Sequence, residues 1–179
     1  LAWVFEHNGL NPSYLIGGIP NNFSQGARFT DSEWFILEGD EYDTAFFDKR
    51  SKFVHYLPEI ALINNIEFDH ADIFKDLGQI QTSFKHLVGL VPSNGLLVVN
   101  EDDENIVPLL NIDHCSVKRF GLGDAKAVTH SLRGVNFIVD GFQFNLPMYG
   151  ELNVCNALGV ITVGRYCGLA DEQIQSGFE

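Results

Sequence analysis

Two runs of acidic side chains are the first places in this sequence able to do chemistry. Glu38, Asp40, Glu41 and Asp43 follow the apolar run EWFIL (33–37), and Glu67, Asp69, His70 and Asp72 follow IALINNI (60–66). Carboxylate oxygens with one imidazole make a hard donor set suited to Mg²⁺ or Mn²⁺, and Mg²⁺ ordinarily keeps waters and takes further oxygens from nucleotide phosphates. Solvated loop acids and a surface histidine are the simpler account of the same residues. Two asparagines near the far end, Asn153 and Asn156, read by themselves as a helix cap and a polar helix face. Cys115, Cys155 and Cys167 form an odd set without a CxxC pair, so neither a disulfide framework nor a zinc ribbon is implied. Three unpaired thiols fit a reducing cytoplasm.

The elements that must position these groups follow from hydrophobic periodicity and turn residues. LAWVFEH reads as the tail of a helix stopped at Gly9, and Ser13–Ile16 as a short strand ending at Gly17-Gly18. After a Pro, Asn, Ser and Gly-rich loop (19–26), EWFIL has the length of a buried parallel strand. Helical or irregular chain is expected from the first acidic run to Tyr56. IALINNI gives a second buried strand, Asp76–Val91 a long amphipathic helix, Pro92–Gly95 a turn, and Leu96–Val99 a third core strand.

Alternating strands and helices imply an α/β domain with a mostly parallel sheet, helices on its faces, and ligands beyond the carboxyl ends of the strands. If the strands bearing the two acidic runs are neighbours, about 4.8 Å apart, their ends converge on one ion. From Ser116 onward the short alternating segments KRFGLG, AVTHSL, VNFIVDG and FQFNLPM predict a small antiparallel β extension, with Asp140-Gly141 as a hairpin turn. Asn153–Cys167 has helical spacing of Ala, Leu, Val and Ile and stops at Gly168. Leu1 opens inside a helical pattern and DEQIQSGFE starts another, so both ends read as cut boundaries of one domain spanning 1–179.

Composition removes several function classes. Twenty-four acidic against eleven basic residues give a formal charge of −13, which opposes nonspecific nucleic-acid binding. With 45% hydrophobic and 20% charged residues the chain has the make-up of an ordinary globular domain, and no run approaches the apolar length of a membrane span.

The segments ILEGDEYD, INNIEFDHAD and YGELNVCNALG, in that order and with those strands between them, resemble the central domain of the Mur ligase family. There a strand ends in Glu, another is followed by N-x-x-x-D-H, and a later helix begins G-x-H-N-x-x-N-A. The resemblance implies a P-loop NTPase-like fold lacking its first strand, and an ATP-dependent amide ligase that uses Mg²⁺. It implies Glu38 and His70 as metal ligands with catalytic roles, the first at the cation bridging the β and γ phosphates, the second near the γ-phosphate and the substrate carboxylate. It implies Asn153 and Asn156 as the residues that meet adenine, whose N6 and N7 edge matches an amide's donor and acceptor. Lys85, fifteen positions after His70, resembles a lysine that some members carry in carbamylated form as a metal bridge. Asp69 stands where it can orient His70.

Two departures stand out. Leu152 replaces the histidine usual before the first asparagine, and no G-T-x-G-K-[ST] phosphate loop occurs in the 179 residues. The opening helix resembles the one that follows that loop, so the loop is expected to lie outside this sequence. Within the family, EGDEYDTAFFDKRSKFVHYLPEIALINNIEFDHADIF, with 32 positions from Glu38 to His70, is similar to the branch that joins L-alanyl-γ-D-glutamyl-meso-diaminopimelate, the murein tripeptide, to UDP-N-acetylmuramate in peptidoglycan recycling. The alanine-adding branch is the near alternative. UDP-binding and amine-binding domains are expected to flank this one, so the chain alone is expected to be inactive. A metal-dependent hydrolase and a noncatalytic nucleotide-binding module are the rivals from other classes; His55, His86, His114 and His130 show no ligand spacing that would favour the hydrolase.

Overall fold

The computed structural model describes residues 1–69 and 72–179. In chain order the helices and strands are α1 (Ala2–His7), β1 (Ser13–Leu15), β2 (Ala27–Arg28), β3 (Phe35–Leu37), β4 (Asp43–Ala45), β5 (Asp48–Ser51), β6 (Ile60–Ile63), α2 (Leu77–Leu90), β7 (Leu96–Asn100), β8 (Ser116–Phe120), β9 (Lys126–Ser131), β10 (Gly134–Val139), β11 (Phe142–Leu146), α3 (Glu151–Tyr166) and α4 (Asp171–Ser176). They form two compact units: Leu1–Glu38 with Asp124–Glu179, and Gly39–Gly123.

The continuous unit is built on the parallel sheet β6-β7-β8. Every residue of central β7 is buried, because LLVVN has no polar alternation and meets neighbours on both edges. α2 covers the sheet with Ile80 and Val88, which join Ala61, Ile63, Ile66, Leu97, Val99 and Ile106 in one core. It begins where the side chain of Asp76 accepts the Gln79 N–H at 3.0 Å, satisfying one of the donors that a helix start leaves open. β8 corrects the expectation that antiparallel structure begins at Ser116: it pairs in parallel with β7 over Ser116–Phe120. Only Phe120 of this strand is buried, and a short, largely exposed polar strand carries no information about direction.

A second correction concerns the segment after Glu38. In place of helical or irregular chain, β4 and β5 form an antiparallel hairpin, followed by a 3-10 turn over Lys52–His55. Its short, charged strands carry no apolar face long enough to announce themselves. Phe53 anchors it, buried and 5.2 Å from the ring of Phe84 on α2.

In the discontinuous unit β1 takes β2 as an antiparallel and β3 as a parallel partner. β3 is an edge strand with Phe35 exposed, which corrects the expectation that EWFIL is buried throughout. It pairs with β1 and β6 pairs with β7, so the strands bearing the two acidic runs belong to different hydrogen-bonded sheets, not to neighbouring positions in one. The antiparallel extension is β9-β10-β11, its tight turn at Asp140 (φ 50°) and Gly141 (φ 88°), the two positive dihedrals that a two-residue hairpin of this twist needs. α3 ends as expected at Gly168, where the Leu169 N–H reaches the Gly164 carbonyl at 3.0 Å and the Gly168 N–H the Arg165 carbonyl at 3.1 Å. α4 packs against α1, α3 and β11. Among the described residues no helix is long and apolar enough to cross a membrane.

Candidate functional site

Three groups of residues hold the candidate side chains, each set by its own elements. The first is Glu38, at the carboxyl end of β3. Its backbone N–H donates to the Leu15 carbonyl at 3.0 Å, continuing the β1–β3 ladder, and its side chain turns back so that Oε2 accepts the Gly17 N–H at 2.6 Å. A Cβ on residue 17 would lie 3.2 Å from that oxygen, so glycine is what permits the approach. Glu38 is exposed, and one bond to one oxygen leaves lone pairs on both for a cation.

The second group lines a cavity of about 420 Å³ at the end of β6. Glu41, Glu67 and Asp69 supply carboxylates to its wall, and Asn64 and Asn65 supply amides. Among the described residues the Asn64 Oδ1 is buried without a hydrogen-bond partner. A buried acceptor left unpaired costs about 1–3 kcal/mol, so the wall offers a place for a donor such as water. The other acids of the first run are committed elsewhere: Asp40 accepts from Lys52 at 2.9 Å, which raises the lysine pKa, and Asp43 accepts from Lys49 at 2.6 Å. Asp48 holds Arg50 in a two-point pair and touches His55 at 3.0 Å, and these contacts hold its carboxyl well below the usual range. Asp72 lines a separate cavity with Asp43 and Lys49.

The third group opens α3. Gly150 (φ 87°) takes the cap position in place of Asn153, which stands in the first turn and donates from Nδ2 to the Tyr149 carbonyl at 2.8 Å, leaving its Oδ1 as an acceptor. Asn156, one turn on, is exposed. Around them Met148, Tyr149 and Leu152 are exposed apolar surface, Leu152 at 83%, and the Tyr149 hydroxyl is fixed by donation to the Leu132 carbonyl at 2.6 Å. An amide edge beside unpartnered apolar side chains is the composition that receives a flat heteroaromatic ring.

His70 lies outside the described residues. Lys85 is exposed on α2 and lines neither cavity. Among the described residues no three His, Cys, Asp or Glu side chains stand close enough to hold one metal ion. Mg²⁺ does not need three, since one or two carboxylates with waters and phosphate oxygens complete its shell, and the all-oxygen character of Glu38 and of the cavity wall fits that ion. Sequence reasoning missed Gly17, Asn64, and the Asp103 and Asn105 side chains that hold the backbone of Ile66. Only the last left a mark, the turn-forming run EDDEN directly after β7.

The Mur ligase middle domain model matches residues 17–164. The chain is 41% identical, over 94% of its length and 38% of the relative's, to UDP-N-acetylmuramate–L-alanyl-γ-D-glutamyl-meso-2,6-diaminoheptandioate ligase of Escherichia coli K12. It is 28% identical to UDP-N-acetylmuramate–L-alanine ligase of Clostridium botulinum strain Langeland, over all of its own length and 40% of that protein. Among solved structures, UDP-N-acetylmuramate:L-alanyl-γ-D-glutamyl-meso-diaminopimelate ligase from Neisseria meningitides superposes with a TM-score of 0.85 at 43% identity, over 99% of this chain and 58% of that one. The chain thus spans about two fifths of the length of the curated relatives it matches.

Proposed function

The chain belongs to the Mur ligase family as a middle domain, and from that premise we propose that it is the ATP-binding part of a longer bacterial cytoplasmic ligase that joins L-alanyl-γ-D-glutamyl-meso-diaminopimelate to UDP-N-acetylmuramate. The observation that carries the choice of substrate is the 41% identity to a relative of that name, against 28% to the alanine-adding one.

In this reading the lactyl carboxylate oxygen of UDP-N-acetylmuramate attacks the γ-phosphorus of ATP as the bond to ADP breaks. The tripeptide amine then attacks the carbonyl carbon, expelling phosphate and losing a proton. Mg²⁺, when bound, shields the carboxylate from the triphosphate it approaches. Glu38, its carboxylate aimed by the Gly17 N–H, would hold that ion, with His70 contributing as the family resemblance implies. Asn153 would offer Oδ1, and Asn156 its free amide, to the adenine edge, with exposed Leu152 as an apolar face where the family carries histidine. Lys85, exposed on α2, would serve as a carbamylated bridge only if a cation drew it in. UDP-sugar and amine recognition would fall to parts of the protein outside this chain.

The test is coupled turnover by the full-length protein with UDP-N-acetylmuramate and Mg²⁺. The expected result is one ADP released per amide formed with the tripeptide and little with L-alanine. Preference for L-alanine would make the protein the alanine-adding ligase, and hydrolysis without ATP would make it a metal hydrolase.

A further inference from the structure

β6 ends at Ile63, yet the backbone of Ile66, three residues later, is held as firmly as a strand residue's. Its N–H donates to Asp103 Oδ2 at 2.6 Å, and its carbonyl accepts from Asn105 Nδ2 at 2.8 Å. The second Asp103 oxygen accepts the Asn105 N–H at 2.9 Å, closing a ring of three hydrogen bonds around one residue. The two side chains stand on the turn after β7, next to fully buried Ile106, and Gln81 of α2 ties that turn down by donating to the Asn105 carbonyl at 2.9 Å.

A strand that merely ended here would release its backbone to water at no cost. Instead, both polar groups of a residue 1% exposed are matched by side chains from the neighbouring strand's end, and the next residues, Glu67, Phe68 and Asp69, turn outward along the cavity wall. We infer that Asp103 and Asn105 are positioning residues: they fix the Ile66 backbone so that Glu67 and Asp69 hold their carboxylates along the cavity wall, where a divalent cation would meet them. The inference rests on the ligase reading only for the identity of the phosphate that shares the cation.

The full-length protein tests it with Mn²⁺ as the probe, titrated by electron paramagnetic resonance in the presence of a nonhydrolysable ATP analogue. Asn105→Ala is expected to weaken Mn²⁺ binding about tenfold, the loss usual when a group that orients a metal ligand is removed. Exchange of the Ile66 amide should quicken, and ligation should recover at high Mg²⁺. Asn105→Asp, which keeps the volume but sets an acceptor against the Ile66 carbonyl, should do the same if the alanine variant misfolds. Gln81→Ala loosens the same turn without touching Ile66 and should leave Mn²⁺ affinity within about twofold. Unchanged affinity in both Asn105 variants, or an equal loss in Gln81→Ala, overturns the inference. Weakened Mn²⁺ binding in a protein that ligates neither amine would uphold the positioning role while sinking the ligase reading.

Discussion

Glu38 depends on a neighbour that has no side chain. Its carboxylate is placed by the Gly17 N–H, and a methyl at residue 17 would push against it from 3.2 Å. Gly17→Ala in the full-length protein is therefore expected to leave stability nearly unchanged while shifting the carboxylate by a few tenths of an ångström. That displacement should lower kcat/KM by roughly tenfold, in steady-state kinetics, because misplacement of a catalytic group by about an ångström costs on the order of a hundredfold. Unaltered kinetics would remove Glu38 from the reaction. The cysteines make the opposite case, side chains without chemistry. Burial pushes the Cys167 thiol up to about 11, so at pH 8 its thiolate fraction is far below that of a free thiol, and burial raises Cys115 as well. Alkylation by iodoacetamide at pH 8, followed by mass spectrometry, should label Cys167 only after unfolding. The sequence marks Glu38, His70, Asn153 and Asn156 as candidates by type and order, and the structure puts Glu38 at the end of β3 and the two asparagines in the opening turns of α3. Gly17 and Asn64 were not legible, because a hydrogen bond from a loop glycine and an orphaned amide oxygen exist only once the chain is folded.

Elements were legible in proportion to how much apolar surface each buries. α2, β7 and α3 announce themselves through long apolar periods, and the turn at Asp140-Gly141 through its backbone demands. The β4–β5 hairpin was missed because its order comes from ion pairs and one buried ring, Phe53, and β8 was misassigned because a short, largely exposed polar strand fits either direction. Ion pairing also ties α1 to the first sheet. Arg28 of β2 makes a two-point pair with Glu6, one arm at 3.0 Å, donates to the Pro12 carbonyl at 3.1 Å, and lies over the Tyr14 ring. The Arg28 hydrogen bonds, and secondarily its charge, hold the Glu6 carboxyl below its ordinary 4.5 against the opposing effect of burial. A carboxyl whose folded pKa lies below its unfolded one stabilises the protein above the unfolded pKa, and that contribution is lost as pH falls through the folded one. Glu6→Gln should thus cost about 0.5–1 kcal/mol near pH 7, with both partners about a quarter exposed. The difference from wild type should shrink below pH 4.5, as read from urea midpoints across pH. By contrast, Phe46 and Phe47 at the hairpin tip are 92% and 90% exposed, so replacing both with Ser should move the midpoint by less than about 0.5 kcal/mol.

The parallel architecture was legible at the scale of the whole molecule, but the partition of its strands was not. Sequence order suggests one continuous sheet, whereas β1 captures β3 and β7 captures β6, and a three-residue strand such as β1 carries too little pattern to foretell its partner. The matched family model runs across both units, and each unit carries candidate residues of its own. That division bears on what 179 residues can do by themselves. A triphosphate needs a nest of backbone N–H groups and a cation to offset its charge, and this chain carries a formal −13 with no G-T-x-G-K-[ST] segment to provide one. The prediction is that the isolated chain folds with the far-ultraviolet signature of an α/β protein, yet neither releases ADP nor forms amide with UDP-N-acetylmuramate, the tripeptide and MgATP. The full-length protein, assayed in parallel, should do both. Ligation by the isolated chain at even a thousandth of the full-length rate would mean that a phosphate site assembles without that loop, and the division of labour proposed for the longer protein would have to be redrawn.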